Sequence, residues 1–527
     1  MTQPTDTEIQ QAQSKFNQAM EAKQNRQYDN ALNVLQPLVT SQPMILASPQ
    51  VWQNIFNAPT HFANVGEDNQ YFDYANTLIS LVADSLDRLS TADAMALATS
   101  FISGTVFRHT VHNQRSLKDF MSARAKLMFT ALKAYKSPHD FNFKTSVSSY
   151  PKIRFGVLLK HLRSDPELTS VLPFFGEVKG EDLELTIILA SKDGAQDCVD
   201  LINKIADHVV YLPEGLPEAV QTVRNLDLDI ALFGNDITAK PSLFAQLAFY
   251  RLARKSAVCV STIATTASPY IDWYFGSPYH YKNQHENEFH ERVIPISDPG
   301  YSFWFPDAPK GGSFFSRQRF GIAENAILLV SGANQTKLHT DLIRLWADIL
   351  HQVPSAVLFL YPFPPHFGPE QQAVIDRILN DFTQLRISPS RITIFEGIPS
   401  RNIVVDLLTH MDLGLDSSPY PGVTTIVDAV ESNLPTLTCV GKNFRTAQGA
   451  MIMDAMGIDE LITHSTQEYV NRAVELCNQP EQRQQLKKKM AAAPKPFIEH
   501  KVFSKRAARA YRHLYQEMAE HSTETNP

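Results

Sequence analysis

The chain has 527 residues, 43% of them hydrophobic and 20% charged, and its formal net charge is −7. This length predicts about three domains with ample hydrophobic cores, and the balanced composition excludes a disordered or fibrous protein. The negative charge argues against a nucleic-acid partner, because the only basic triplet, Lys487 to Lys489, is typical of a solvated helix face.

The first ten residues, Met1 to Gln10, are polar and acidic, unlike a signal peptide. No apolar run approaches the roughly 20 residues that a membrane helix needs. We therefore expect a cytoplasmic protein without a membrane span. The four cysteines are too far apart for a compact metal site or a disulfide scaffold: Cys198, Cys259, Cys439 and Cys477.

Residues 1–148 are predicted to form a helical domain, because apolar residues recur at helical spacing from Glu8 to Lys136. The opening segment, Phe16 to Pro43, reads as two helices that turn at Gln27 and Tyr28, like one tetratricopeptide-type hairpin. No clean repeat of about 34 residues follows it, which favours an irregular helical bundle.

Residues 151–310 are predicted to form a first α/β lobe, because short aliphatic runs alternate with helical stretches, as in parallel βαβ units. The predicted strands are Ile153–Leu159, Leu185–Ala190, His208–Leu212, Leu228–Phe233 and Ala257–Ser261. The segment from Asp298 to Ser316 is rich in proline and glycine and is predicted to link this lobe to a second one.

The same alternation predicts a second lobe over residues 316–500, followed by a C-terminal helix and tail over 501–527. Its predicted strands are Ala326–Ser331, Ala356–Tyr361, Arg391–Phe395, Leu413–Leu415 and Thr436–Val440. Phe503 to Met518 has helical spacing and is expected to pack back onto the lobes. The fold class is α/β with an all-helical N-terminal domain, and ligands are expected in the cleft that faces the carboxyl ends of the strands.

Three loops of the second lobe carry candidate chemistry. In the segment from Asp416 to Asp428, Gly422 permits close approach of a ligand, and Thr424 and Thr425 lie beside the free N–H groups of a helix start. These groups favour an anion such as a diphosphate, and Asp428 could accept hydrogen bonds from a ribose. The alternative is a capped helix without a ligand.

The second loop follows a strand and contains Asn334, Gln335 and Lys337, where the lysine could neutralise charge on a leaving phosphate. A surface lysine near a helix start is the alternative. The third loop contains Gly397, Ile398 and Pro399, whose backbone could pair with a uracil edge or serve only as a connection.

The order of these loops resembles glycosyltransferase family 41, which contains O-GlcNAc transferases and bacterial cytoplasmic N-glucosyltransferases of adhesins. The resemblance covers roughly Pro151 to Ser465 and is most specific in Asn334-Gln335-Xaa-Lys337, in the Gly-Xaa-Thr-Thr-Xaa-Xaa-Asp pattern that ends at Asp428, and in Gly457 to Ile462. The turn from Ala264 to Phe275 resembles the adhesin branch. The resemblance implies a GT-B fold of two Rossmann-like lobes, with the acceptor on the first and a UDP-sugar on the second.

The resemblance also implies roles for these residues. Lys337 would stabilise the UDP leaving group, Thr424 and Thr425 would hold the diphosphate, and Asp428 the ribose, without a metal or other cofactor. Gly397, Ile398 and Pro399 would frame the uracil. His161, after the first strand, falls where the family has histidines that face the acceptor, and it would position the acceptor or take its proton.

The sequence departs from the family at two positions. Val423 stands where O-GlcNAc transferases have a histidine, and Ala267 stands where the adhesin glucosyltransferases carry a functional histidine. The histidines at 280, 285 and 290 match no compact zinc motif and are interpreted as a polar loop of the cleft.

These observations predict an inverting, metal-independent transferase that moves a hexose from a UDP-sugar to a polypeptide side chain, either Asn or Ser/Thr. Two alternatives stay open. One is a transferase acting on a glycan or lipid-linked acceptor. The other is a non-catalytic, partner-binding protein with a degenerate GT-B fold.

Overall fold

The structure, a computed structural model, describes residues 6–144, 147, 151–163, 165–180, 182–305, 315–365 and 367–524. The domain boundary expected at residue 148 and about half of the expected linker, residues 306–314, lie outside the described residues. Within the described residues, no helix is both long enough and apolar enough to cross a membrane.

The N-terminal part of the described chain is helical. Its helices are α1 (Asp6–Gln24), α2 (Tyr28–Ser41), α3 (Pro49–Phe56), α4 (Glu67–Ser85), α5 (Thr91–Gly104) and α6 (Lys118–Leu132). Arg26 takes a left-handed conformation with φ of 60° in the turn between α1 and α2. The buried carboxylate of Glu67 accepts hydrogen bonds from Arg26 and from the Tyr28 hydroxyl, so it ties this hairpin to α4.

The first lobe has a seven-stranded, all-parallel sheet in the order β3-β2-β1-β4-β5-β6-β7. Its strands are β1 (Ile153–Leu159), β2 (Leu183–Leu189), β3 (His208–Tyr211), β4 (Ile230–Phe233), β5 (Lys255–Val258), β6 (Trp273–Gly276) and β7 (Arg292–Pro295). Its helices are α7 (Pro166–Phe175), α8 (Gln196–Ile205), α9 (Leu216–Arg224), α10 (Leu243–Leu247) and α11 (Tyr279–Lys282). The sequence pattern missed β6 and β7, since each has only four residues and ends at a glycine or a proline.

The second lobe has a six-stranded parallel sheet in the order β10-β9-β8-β11-β12-β13. Its strands are β8 (Ile327–Ser331), β9 (Ala356–Leu360), β10 (Ile392–Ile394), β11 (Leu413–Leu415), β12 (Thr436–Cys439) and β13 (Ile462–Thr463). Its helices are α12 (Thr340–Gln352), α13 (Gln371–Gln384), α14 (Arg401–Thr409), α15 (Thr424–Glu431), α16 (Gln448–Met456), α17 (Thr466–Asn478) and α18 (Pro480–Ala492).

The last helix, α19 (His500–Glu524), returns from the second lobe to the first. The Ser504 hydroxyl donates to the Pro173 carbonyl, the Tyr511 hydroxyl donates to the Phe174 carbonyl, and the Phe503 and Phe174 rings meet edge to face. The expectation that this segment packs back onto the lobes is confirmed for the first lobe.

The helical domain contacts both lobes. On the first lobe, the Phe107 amide donates to the Ala239 carbonyl, and the buried Arg124 guanidinium donates to the Ile237 carbonyl. On the second lobe, the Thr340 amide donates to the Phe62 carbonyl. The three parts of the chain therefore enclose one common cleft.

Candidate functional site

A cleft of about 1200 Å³ lies between the lobes, at the carboxyl ends of both sheets. In each sheet the strand order reverses at the first strand of the lobe, β1 or β8, and loops beside these reversal points line the cleft. The lining includes Lys160 after β1, Asn235 after β4, Gly332 and residues 334–337 after β8, and Tyr420 and residues 422–425 after β11. Reversal points are where open α/β sheets bind ligands.

The loop after β11 is held in place by Asp416. Its Oδ1 accepts hydrogen bonds from the amides of Ser417 and Gly422, both at 2.8 Å, and its Oδ2 accepts one from the Thr438 hydroxyl at 2.9 Å. Burial raises the pKa of Asp416 to about 6. A Cβ on Gly422 would lie 1.9 Å from the Thr425 hydroxyl oxygen, so the tight turn requires glycine there.

This loop leads directly into α15, whose N-terminus borders the cleft. Gly422, Thr424 and Thr425 all line the cleft; Thr424 and Thr425 are the first two residues of the helix, and Gly422 lies just before it. No side chain caps the start of α15. Since the first amides of a helix lack intrahelical partners, this end of α15 can receive an anion.

Lys337 lies across from this helix start. Its Nζ donates to the Pro421 carbonyl at 2.7 Å and lies 4.8 Å from the centre of the Tyr420 ring. Burial lowers the pKa of Lys337 to about 8, against an opposing effect of the Asp416 charge. The lysine is therefore half-buried, still mostly protonated near pH 7, and oriented by the loop after β11.

Asn334 and Gln335 also line the cleft, but both contribute to the shape of their own loop. Asn334 Oδ1 accepts hydrogen bonds from the amide and hydroxyl of Thr336, and the Gln335 amide donates to the Pro362 carbonyl at 3.2 Å. The Asn334 oxygen is thus already used in a local turn that presents Lys337.

The loop after β9 forms one wall of the cleft through Tyr361, Pro362, Phe363 and Pro364. A Cβ on Gly332 would lie 2.5 Å from the Tyr361 ring and 2.7 Å from the Thr425 methyl carbon. Glycine at 332 therefore lets three loops of the second lobe approach each other. His366, at the end of this proline-rich stretch, lies outside the described residues.

Asp428 lies on α15, but it is not part of the cleft lining. Its Oδ1 accepts a hydrogen bond from Arg401 Nε at 2.7 Å, and the guanidinium also pairs with Glu431 and stacks 3.4 Å from the centre of the Phe305 ring. Burial raises the pKa of Asp428 to about 6, although the charge of Arg401 opposes the rise. In the structure, Arg401 occupies one oxygen of the carboxylate assigned to the ribose.

Gly397, Ile398 and Pro399 are not brought to the cleft lining. Ile398 is 7% exposed and packs in the core of the second lobe, and Gly397 abuts the loop at Pro364 and Pro365. The loop therefore supports the proline-rich wall from behind. Its assignment to uracil came from the resemblance and stays a prediction.

His161 is likewise separated from the cleft lining, because the chain turns after β1 and only its neighbour Lys160 reaches the cleft. The His161 Nε2 lies 3.9 Å from an oxygen of Asp165. Three acidic residues of the first lobe line the cleft: Glu167, Glu214 and Asp236. The Glu167 carboxylate accepts a hydrogen bond from the Asp236 amide at 2.7 Å, and burial raises the pKa of Glu167. The sequence signal that could have identified Glu167 is its position in the first turn of α7, the helix that follows β1.

The turn that contains Ala267 is also outside this cleft. Ala267 has a φ of 53° and lines a separate cavity of about 580 Å³ between the helical domain and the first lobe. Its neighbours Thr265 and Thr266 donate hydrogen bonds to the buried Glu291. The position at which the adhesin branch carries its histidine therefore borders a different cavity in this chain.

The three histidines after β6 do not form a polar cleft loop, contrary to the sequence interpretation. His280 is fully buried and stacks on Phe444 of the second lobe, with ring centres 3.6 Å apart, and burial lowers its pKa to about 3. His285 stacks on Tyr279, and His290 bonds to the Ser122 hydroxyl. Across the described residues, no group of three or more His, Cys, Asp or Glu side chains is arranged to hold a metal ion.

The helical domain contributes part of the cleft, which the sequence analysis did not anticipate. Val106, Val111 and His112 line it beside the loop after β11. These residues are about 300 positions away from that loop, and no local pattern in the sequence signals such a contact.

Comparisons with known proteins match part of the chain to a family. Residues 306–506 match the model of glycosyl transferase family 41. A probable UDP-N-acetylglucosamine--peptide N-acetylglucosaminyltransferase SPINDLY of Oryza sativa subsp. japonica is 24% identical over 185 residues, which are 35% of this chain and 20% of that protein. The UDP-N-acetylglucosamine--peptide N-acetylglucosaminyltransferase of Caenorhabditis elegans is 26% identical over 170 residues, 32% of this chain and 14% of that protein. The matched region is thus about a fifth or less of the length of these relatives.

A solved structure of an O-GlcNAc transferase variant from Thermobaculum terrenum superposes with a TM-score of 0.65 at 15% identity, covering 97% of this chain and 98% of that one. The predicted resemblance to glycosyltransferase family 41 is confirmed, as is the fold of two α/β lobes with a helical N-terminal region.

Proposed function

We propose that this chain, whose residues 306–506 match glycosyl transferase family 41, transfers a sugar from a UDP-sugar to a polypeptide side chain. The observation that carries the proposal is the convergence of Lys337 and the uncapped start of α15 on one cleft between two parallel sheets. An ammonium group and a helix N-terminus facing each other suit a diphosphate.

In the proposed reaction, an acceptor nucleophile attacks C1 of the sugar from the face opposite the leaving group. The bond between C1 and the β-phosphate oxygen breaks, the configuration at C1 inverts, and UDP leaves with the electron pair. Lys337 and the amides of Thr424 and Thr425 stabilise the charge that develops on the diphosphate. No metal is needed for this step, because fixed N–H donors and one cation supply the compensation.

The acceptor proton needs a base on the first lobe. We propose Glu167 for this role ahead of His161, because Glu167 lines the cleft and burial raises its pKa toward neutrality. An E167Q variant is expected to keep UDP affinity while its kcat falls, whereas an H161Q variant should retain most of its kcat. The reverse pattern would restore His161 as the base.

The two relatives described above are named for N-acetylglucosamine transfer to peptides, so UDP-N-acetylglucosamine is the first donor to test, followed by UDP-hexoses. Asn and Ser/Thr peptides are both candidate acceptors. A free saccharide acceptor tests the alternative of transfer to a glycan. The intact mass of each acceptor, peptide or saccharide, measured after incubation with and without a metal chelator, would show which donor is used, which acceptor is modified and whether a metal is needed.

UDP binding by calorimetry is the deciding experiment for the wild type, K337A and D428A. Micromolar binding that both substitutions weaken would support the donor site. A wild type that binds no UDP would refute the transferase proposal. It would favour the non-catalytic alternative, for which the Arg401 to Asp428 pair is the structural argument.

A further inference from the structure

The ammonium group of Lys337 is positioned mainly by the Tyr420 to Pro421 segment. It is hydrogen-bonded to the Pro421 carbonyl at 2.7 Å and lies 4.8 Å from the centre of the Tyr420 ring. An aromatic face at this distance attracts a cation and also excludes water from one side of it. The orientation of the Tyr420 ring therefore affects both the location and the solvation of the lysine.

Tyr420 is half-buried in the intact chain, and a residue of the helical domain packs against its ring. The ring of His112, 5% exposed, is centred 5.0 Å from that of Tyr420, with 36° between the two planes. His112 is also 5.9 Å, centre to centre, from His339, which follows the Lys337 loop and begins α12. The His112 imidazole therefore packs against both segments that position the Lys337 ammonium group, one at Tyr420 and the other at His339.

His112 is held in place from the second lobe itself. The buried guanidinium of Arg445 donates to the Val111 carbonyl at 3.0 Å and to the Asn113 carbonyl at 2.9 Å, on either side of His112. A second contact flanks the Lys337 loop, where the Phe62 amide donates to His339 Nδ1 at 3.3 Å. The helical domain therefore contacts the end of the Lys337 loop through two residues, His112 and Phe62.

We propose that His112 is a positioning residue of the cleft, whose ring holds Tyr420 against the ammonium group of Lys337. In this way the helical domain completes the donor half of the site, in addition to any role in binding partners. The consequence for turnover rests on the proposed function, but the contact itself can be tested without any nucleotide.

The first test follows the titration of Lys337 in the ligand-free full chain, using limited acetylation across a pH series and peptide mass spectrometry. Loss of the His112 ring should admit water beside Tyr420 and raise the midpoint of the Lys337 titration in H112A. H112F, which keeps an aromatic face, should match the wild type. An H112A profile identical to that of the wild type would overturn the proposal.

His139 provides a matched control. Like His112, His139 precedes the first lobe and stacks on a tyrosine, with its ring centre 4.6 Å from that of Tyr250. Unlike His112, neither His139 nor Tyr250 lines the cleft. H139A should therefore leave the Lys337 titration unchanged. A shift in H139A as large as that in H112A would show a general loosening of the helical domain and would overturn the specific role of His112.

Turnover supplies the second test. A misplaced lysine affects the transition state more than ground-state binding, so H112A should lower kcat about tenfold while KM changes less than about threefold. H112F should recover most of the kcat, and a failure to do so would mean that the imidazole itself contacts substrate. A wild type without UDP binding would refute the proposed function, while the Lys337 titration would still decide the role of His112.

Discussion

Replacing Arg401 with methionine is expected to shift the pH dependence of UDP binding upward. Arg401 Nε lies 2.7 Å from Asp428 Oδ1, and Asp428 is 8% exposed. Burial raises the pKa of Asp428 to about 6 even though Arg401 opposes that rise. A neighbouring cation lowers a carboxyl pKa by about 1 to 3 units, so the pKa of Asp428 in R401M should reach about 7 or more.

The direction of the effect follows from the chemistry of the carboxylate. Only the ionised form accepts hydrogen bonds at both oxygens, so protonation of Asp428 should weaken its contact with a ribose. Wild-type affinity should fall as the pH falls through about 6, and R401M affinity should fall at a higher pH. Full protonation of Asp428 would remove one hydrogen bond to a charged group, which costs about 1.5 to 3 kcal/mol, or about ten- to hundredfold in Kd. At pH 6.5, a pKa of about 7 in R401M against about 6 in the wild type should weaken UDP binding about threefold.

Calorimetry with UDP from pH 5.5 to 8.5 would measure this shift. E431Q is the comparison variant: it keeps the contact of Arg401 with Asp428 but removes a charge that raises the pKa of Asp428, so its curve should shift to lower pH. An R401M protein that binds UDP more tightly than the wild type at every pH would refute the reasoning and show that Arg401 blocks the ribose position. Superimposable pH curves would mean that Asp428 does not contact the nucleotide.

Three further outcomes are expected. Burial holds the pKa of His280 at about 3, below its value in the unfolded chain, so the protein loses stability as the pH falls below about 6.5. In urea unfolding, the free energy lost between pH 7 and pH 5 should be about 2 kcal/mol smaller for H280F than for the wild type. An H280F protein as acid-sensitive as the wild type would contradict this. The G332A variant should lose UDP binding and about 1 to 3 kcal/mol of stability, because the new methyl group would meet Tyr361 and Thr425. Wild-type UDP affinity of G332A in calorimetry would contradict this steric clash. The pKa of Asp416 is about 6 when folded, above its unfolded value, so its contribution to stability declines as the pH rises from about 4 to 6. D416N should flatten that decline, although its amide nitrogen cannot accept the Thr438 hydroxyl as the carboxylate oxygen does. A series of unfolding curves with the wild-type slope between about pH 4 and 6 would argue otherwise.

The sequence predicted the fold well where a strand has a continuous apolar run, as in β1 and β8. It also predicted the loops that supply Lys337 and Thr425, since both follow such strands and the carboxyl ends of parallel strands share one edge. The turns at Gly397 and Ala267 have the same local character, yet one supports a loop from behind and the other borders a separate cavity. Their orientation depends on packing that no short segment encodes.

The least predictable features are contacts between distant side chains. The Asp428 position matched a motif, but Arg401 is its partner only because α14 packs beside α15. Similarly, His112 and Tyr420 are far apart in the sequence and come into contact only in the folded protein. Such pairings arise from tertiary geometry, so a single sequence without a structure gives no signal for them.

The way in which the helical domain touches the second lobe limits how this architecture can be recombined. The contacts of Phe62 with His339 and Thr340, and of Arg445 with the backbone at 111 and 113, join surfaces that must match each other in shape. A helical domain grafted from a distant homologue would meet the wrong partners at these points. Chimeras of this protein would therefore have to exchange both surfaces of this contact together. Its substrate range would have to be altered by substitutions within the intact chain and not by exchange of the helical domain alone.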